Sequence, residues 1–162
     1  MAGATMWAEA LPPVPRRPPS EFEWEDLLVR IEVMPKALRV ALEQLPAQHP
    51  SVLPVLAAAG DREAGVRDFI ERASGEPGRP AALKTGAQST AVHEDALDRF
   101  VRIRTRNFAM LQRRGIDVWN WEAHVADGET ATIHQVLTVL SQEDVKALAA
   151  LRDLTRRGTL GC

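Results

Sequence analysis

The chain has 162 residues, 45% of them hydrophobic and 26% charged, which suits one soluble globular domain with a sizeable core. With 20 basic against 22 acidic residues the formal net charge is −2, a balance that draws the protein neither to nucleic acid nor to an anionic membrane. A single cysteine, Cys162, excludes an intrachain disulfide framework and a cysteine-based zinc site, and accords with a reducing cytoplasm.

No apolar run reaches the ~18 residues of a transmembrane helix. Met1 to Leu11 lacks the basic region and apolar core of a signal peptide, so a cytoplasmic location is expected. Cys162 is not the fourth residue from the end of this sequence, so no prenylation box is expected.

Residues 1–20 read as a separate arm. Pro12, Pro13, Pro15, Pro18 and Pro19 crowd around Arg16 and Arg17, a composition that favours an extended, partly disordered segment over a packed one. Residues 21–158 read as the domain and 159–162 as a flexible end.

The first predicted helix runs over 23–45. Trp24, Leu27, Leu28, Ile31, Met34, Leu38, Ala41, Leu42 and Leu45 recur at steps of three and four, which marks one buried face. Pro35 lies inside this pattern. It removes a backbone donor, and a kink or split near Val33 is expected. The second helix starts behind Ser51 as N-cap, with Pro54 in the tolerant first turn. Its stripe is Val52, Val55, Leu56, Ala59, Val66, Phe69, Ile70 and Ala73, and Glu63 falls on the same face. Gly60 and Gly65 weaken this helix and favour close approach of a neighbour.

Residues 75–92 are rich in Gly, Pro, Ala, Ser and Thr and read as a long loop between helices 2 and 3. The third helix spans 93–114 and stops at Gly115. Its stripe is Leu97, Phe100, Val101, Arg104, Phe108 and Leu111. The stretch 116–131 shows no clear period and reads as an ordered loop, with Trp119 and Trp121 covering one end of the core. The fourth helix spans 132–154 behind a capping-box signal, Thr132 with Gln135. Ile133, Val136, Leu137, Leu140, Asp144, Ala147, Leu148, Leu151 and Leu154 form its inner face. No useful stretch alternates with period two, so no sheet is expected. The fold class is all-α, a four-helix bundle.

Three charged residues carry the chemistry of this pattern. Glu63, Arg104 and Asp144 each fall on the core stripe of a different helix. An isolated buried charge costs several kcal/mol, so an Arg104–carboxylate pair is expected, either as a structural element or as part of a polar-ligand pocket. Metal ligands find weaker support. His49, His93, His124 and His134 do not pair at i, i+3 or i, i+4. His134 and Glu143 lie on opposite sides of the fourth helix, about 180° apart at 3.6 residues per turn. A composite site from His124, Glu63 and Asp144 is the remaining option. No Gly-x-Ser-x-Gly, Walker A or Rossmann glycine pattern occurs. Arg99, Arg102, Arg106, Arg113 and Arg114 crowd the third helix, but they spread to the solvent side and are diluted by Glu94, Asp95 and Asp98.

The order of elements and the second half of the chain resemble the DinB/YfiT-like superfamily of bacterial four-helix proteins. The run from Glu94 to Arg104 looks like that family's third helix. Trp119, then Gly128-Glu129 and a threonine-led helix start, look like its lead-in to the last helix. The segments Leu27–Leu45 and Val55–Glu63 are similar more loosely to its first two helices. The resemblance implies a divalent metal held by three histidines, one in the second helix and two at i, i+4 in the fourth. It places them at Ala58, Glu143 and Ala147, none of which is histidine here.

The family's metal site is therefore expected to be lost, with no cofactor. The expected function is non-catalytic, that of a small-ligand-binding or stress-related protein retaining the central groove between the helices. One alternative is a hydrolase or thiol transferase in which zinc or nickel is held by a rearranged site drawn from Glu63, Glu143, Asp144 and His124. Another is a structural interaction module working through the Pro-rich arm. The resemblance also implies a homodimer formed through helix faces.

Overall fold

The computed structural model describes residues 16–45, 49–73, 93–126 and 129–160. Pro12, Pro13 and Pro15 of the arm, the predicted loop over 75–92, and Cys162 lie outside them. Among the described residues there are four α-helices: α1 (Glu21–Glu43), α2 (Val52–Ala73), α3 (His93–Arg114) and α4 (Ile133–Leu160). A 3-10 turn at Ile116–Val118 and a hairpin of β1 (Glu122–Ala126) and β2 (Glu129–Thr132) connect α3 to α4. No helix among the described residues is long and apolar enough to cross a membrane.

The start of α1 is fixed by a reciprocal cap. The Ser20 hydroxyl accepts from the Glu23 N–H, and the Glu23 carboxylate accepts from the Ser20 N–H at 2.7 Å. Arg17 adds a second anchor, with 2.7 Å between its guanidinium and Glu23. Arg16 reaches in the other direction, to Glu122 on β1 and Thr130 on β2. The last residues of the Pro-rich segment thus tie the head of α1 to the hairpin. The helix then runs without interruption through Pro35, so of the kink or split expected near Val33 the split does not occur. At the other end of the chain, α4 opens as expected. The Gln135 N–H donates to the Thr132 hydroxyl and Gln135 Oε1 accepts from the Thr132 N–H. The carbonyls of Trp121 and Trp119 accept the first free N–H groups of α4, from Ile133 and His134.

The four helices pack in the ring order α1, α4, α2, α3, with α1 and α2 on one diagonal and α3 and α4 on the other. Their directions follow from the core, which has two apolar layers. Trp24, Ile31, Phe69, Ile70, Leu111, Ile133 and Leu137 belong to the first. Met34, Leu38, Leu56, Phe100, Ala147 and Leu151 belong to the second. Along α1 and α4 the first layer comes earlier in sequence; along α2 and α3 it comes later. The bundle is therefore up, down, down, up. The ends of α2 and α3 that residues 74–92 join lie at opposite ends of it.

The hairpin corrects the expectation of no sheet, while the helical class stands. Glu122 pairs with Thr132 and Ala123 with Ala131 in an antiparallel ladder, with an irregularity between His124 and Ala126. β1 packs on α2, and Trp119 and Trp121 lie against the first apolar layer. Strands of four and five residues are too short to announce themselves by alternation.

The cap of α1 sets an acid response. Hydrogen bonding and charge from Arg17, with the Ser20 N–H, hold the Glu23 carboxyl down at about 2. A depressed carboxyl stabilises the fold above its ordinary value of 4.5, and that contribution is lost as the pH falls toward about 2. Urea unfolding between those values should show wild type losing more stability than Glu23→Gln. Parallel pH profiles would remove the cap from the account.

Candidate functional site

Between the two apolar layers lies one polar layer, and Arg104 is its centre. Arg104 is 1% exposed and Glu63 is fully buried, with Asp144 at 5%. Arg104 Nε donates to Glu63 Oε2 on α2 at 2.8 Å. Its Nη1 and Nη2 donate to Asp144 Oδ2 and Oδ1 on α4 at 2.9 and 3.0 Å, a two-pronged pair across the α3–α4 diagonal. Nη1 also donates to the Ile31 carbonyl on α1 at 3.0 Å. The guanidinium carbon sits 4.9 Å from the centre of the Phe100 ring, one turn away. One side chain thus touches all three other helices.

Asn107, one turn further along α3, completes the layer. Its Nδ2 donates to Glu63 Oε1 at 2.9 Å and to the Glu63 carbonyl at 3.2 Å. Both Glu63 oxygens therefore accept a hydrogen bond. Burial pushes the Glu63 carboxyl up, opposed by the Arg104 charge and by the bonds from Asn107 and Arg104. For Arg104, desolvation works against the charge, but the two carboxylates outweigh it and raise its pKa further. The expected Arg104–carboxylate pair is present and doubled, with two carboxylates facing one cation.

Glu143, Ala58, Ala147 and His49, whose side chains are described, do not join this layer. Glu143 neighbours Asp144 but points elsewhere, bonding Lys146 at 2.7 Å. Ala58 is exposed, whereas Ala147 is buried in the second apolar layer. His49 precedes α2, where its Nδ1 accepts from the Ser51 N–H. His93 opens α3, His124 lies on β1, and His134 lies in the first turn of α4. Among the described residues no group of three or more His, Cys, Asp or Glu side chains could hold a metal ion. The residues at the family's ligand positions do not fit a divalent cation: two are alanines without a donor atom, and Glu63 and Asp144 nearby are committed to a guanidinium.

The centre of the bundle holds the two apolar layers and the polar layer, and a groove lies at its surface. A groove of about 470 Å³ runs between α1 and α3, within the ~300–1,000 Å³ typical of small-molecule sites. Trp24, Leu28, Val29, Phe108 and Ile116 give it apolar walls; Glu21, Glu25, Glu32 and Gln112 give it a polar rim. Glu21, Glu25 and Glu32 form no ion pair with a described residue. The indole N–H of Trp24 is buried and has no acceptor among the described residues. The one-stripe pattern of α1 hid this groove, because its rim residues read as an ordinary solvated face until Phe108 and Ile116 closed the other wall.

No protein-family model, curated protein or solved structure matches this chain.

Two outcomes follow from the polar layer. Arg104→Leu should cost about 3–5 kcal/mol, since it strands two buried carboxylates. Replacing Glu63, Arg104 and Asp144 together by apolar residues should recover most of that loss in urea unfolding. The second outcome concerns pH. A carboxyl raised in the folded state stabilises when protonated, so its contribution is present below its ordinary value of 4.5 and lost as pH rises through the raised value. Wild type should therefore gain stability relative to Glu63→Gln as the pH falls from neutrality. The reverse slope would mean that Arg104 outweighs burial.

Proposed function

We propose that this chain is a non-catalytic, DinB-like binding protein of the cytoplasm, and that its ligand is an amphipathic amine held in the groove between α1 and α3. The observation that carries this reading is the pairing of apolar walls with a rim of three glutamates that lack cationic partners among the described residues. Glu21 and Glu25 stand at i, i+4, a like-charge spacing that mildly destabilises a helix. A bound ammonium group relieves that repulsion, and the hydrocarbon part of the ligand covers Trp24 and Phe108. The DinB-like assignment rests on the resemblance of residues 94–154 and on four helices in the expected order. The committed polar layer supports a binding role: every oxygen of its two carboxylates accepts a hydrogen bond from Arg104 or Asn107, so both groups are engaged in holding helices together.

Octylamine is the probe, with octanol as the neutral control. Titration followed by tryptophan fluorescence should show saturable binding of octylamine, weakened by salt and much weaker for octanol. Glu25→Gln with Glu32→Gln should lower affinity about tenfold, or ~1.4 kcal/mol. Equal binding by the double variant and by wild type would overturn the assignment. Metal analysis of untagged protein addresses the alternative of a rearranged metal-dependent enzyme: near-stoichiometric zinc, nickel or manganese would favour it over this reading.

A further inference from the structure

The residues that line the groove between α1 and α3 include three carboxylates and no Lys, Arg or His side chain. All three carboxylates belong to α1. At 3.6 residues per turn Glu21, Glu25 and Glu32 fall within about 40° of one line along the helix. At 1.5 Å per residue Glu25 stands about 6 Å above Glu21, and Glu32 about 10 Å further on. The negative charge therefore has two poles, Glu21 with Glu25 at one end and Glu32 alone at the other. Trp24 lines the groove between Glu21 and Glu25 in sequence, an aromatic surface that favours a cation at the first pole.

The stretch between the poles is apolar. On α1 it holds Leu28 and Val29. The opposite wall follows from the packing. Arg104 of α3 reaches the Ile31 carbonyl of α1, and the two helices run in opposite directions. Phe108, one turn beyond Arg104, therefore comes roughly level with Leu28. A monoamine answers only one pole. With its ammonium at Glu21 and Glu25, its methyl end points toward Glu32, which forms no ion pair with a described residue. A second ammonium at that end would pair with Glu32. A charge in mid-chain would instead lie against Leu28, Val29 and Phe108, losing water with no carboxylate at that height.

The poles set the length. From Glu25 to Glu32 the span is about 10 Å, and from midway between Glu21 and Glu25 it is about 13 Å. Two nitrogens joined by eight to ten methylenes, at about 1.25 Å of advance per bond, lie about 11–14 Å apart. We propose that the groove selects a long α,ω-diamine, with one ammonium at Glu21 and Glu25, the other at Glu32, and an uncharged hydrocarbon spacer over Leu28, Val29 and Phe108; this rests on the amine reading of the groove and adds to it a second charge, a length and an apolar middle.

Calorimetric titration of the full chain near pH 7 tests it, with circular dichroism confirming the fold of each variant. The probes are octylamine, 1,8-diaminooctane, 1,4-diaminobutane and spermidine, a triamine as long as the diaminooctane but charged in mid-chain. Diaminooctane should bind at least tenfold tighter than octylamine. Glu32→Gln should remove that advantage and leave octylamine affinity within about twofold. Diaminobutane, which reaches only from Glu21 to Glu25, and spermidine should each bind at least tenfold more weakly than diaminooctane. Spermidine binding as tightly as diaminooctane, or tighter, overturns the proposal, because an acidic surface that merely gathers polycations would rank ligands by charge. A diaminooctane advantage that survives Glu32→Gln, or is matched by diaminobutane, overturns it as well. Saturable octylamine binding with no gain for diaminooctane overturns the diamine proposal and leaves the amine reading standing. Absence of binding by both overturns the two together.

Discussion

Arg104 leaves α3 at mid-height and uses its fork of donors on three other helices at once: Glu63 of α2, Asp144 of α4 and the Ile31 carbonyl of α1. Apolar contacts between helices are tolerant, since a helix can slide or rotate by a fraction of a residue and still bury its stripe. A planar guanidinium with fixed donor directions is not tolerant in that way. Each partner must present its oxygen at one height and one angle. The polar layer therefore sets the relative height of all four helices, and the apolar layers above and below supply most of the favourable burial. The energetic cost is real, because two carboxylates and one cation leave water to form it. What the layer contributes is a single register in place of several similar ones.

The proline in α1 belongs to the same construction. In an unbroken helix the Ile31 carbonyl would accept from the N–H of residue 35, but Pro35 has none. That carbonyl faces the bundle and would be a buried acceptor without a donor. Arg104 Nη1 supplies the donor from across the core, at 3.0 Å. Two features that look like faults in isolation, a proline inside a helix and an arginine inside a core, satisfy each other. This also accounts for α1 remaining continuous where a split was expected: the orphaned carbonyl is bonded without the helix having to open.

Much of this was legible in residue patterns, and for identifiable reasons. Glu63, Arg104 and Asp144 stood out because a charge on an apolar stripe must find a partner, and three such residues on three helices leave few arrangements. The limits of α3 were legible from Gly115 and from a clean stripe. Asn107 was missed because a polar residue beside the stripe looks solvated until its neighbour is known. α1 starts two residues before the predicted position 23 because the Ser20–Glu23 capping box lies ahead of Trp24, the first residue of the apolar stripe. The hairpin depends on pairing between Glu122–Ala123 and Ala131–Thr132, which no local pattern in strands so short encodes. The glutamate line of α1 escaped because each of its residues, taken singly, is an ordinary exposed glutamate. It becomes informative only once Phe108 and Ile116 show which face of the helix borders a groove.

The distribution of committed and uncommitted groups then locates where this molecule can act. Inside, the carboxylates that might have served as acids, bases or ligands are bound to a cation that cannot lose its proton under ordinary conditions. Their positions are fixed by the packing of four helices, so releasing them would mean loosening the bundle. Outside, on α1, Glu21, Glu25 and Glu32 form no ion pair with a described residue and border a groove with apolar walls. These groups share one helix whose inner face is locked by Trp24, Ile31 and Met34. A helix held rigidly on one side is a pre-organised platform on the other, since binding to it orders little backbone. The stability of the polar layer and the availability of the α1 surface are thus linked: the layer fixes the helix that carries the surface.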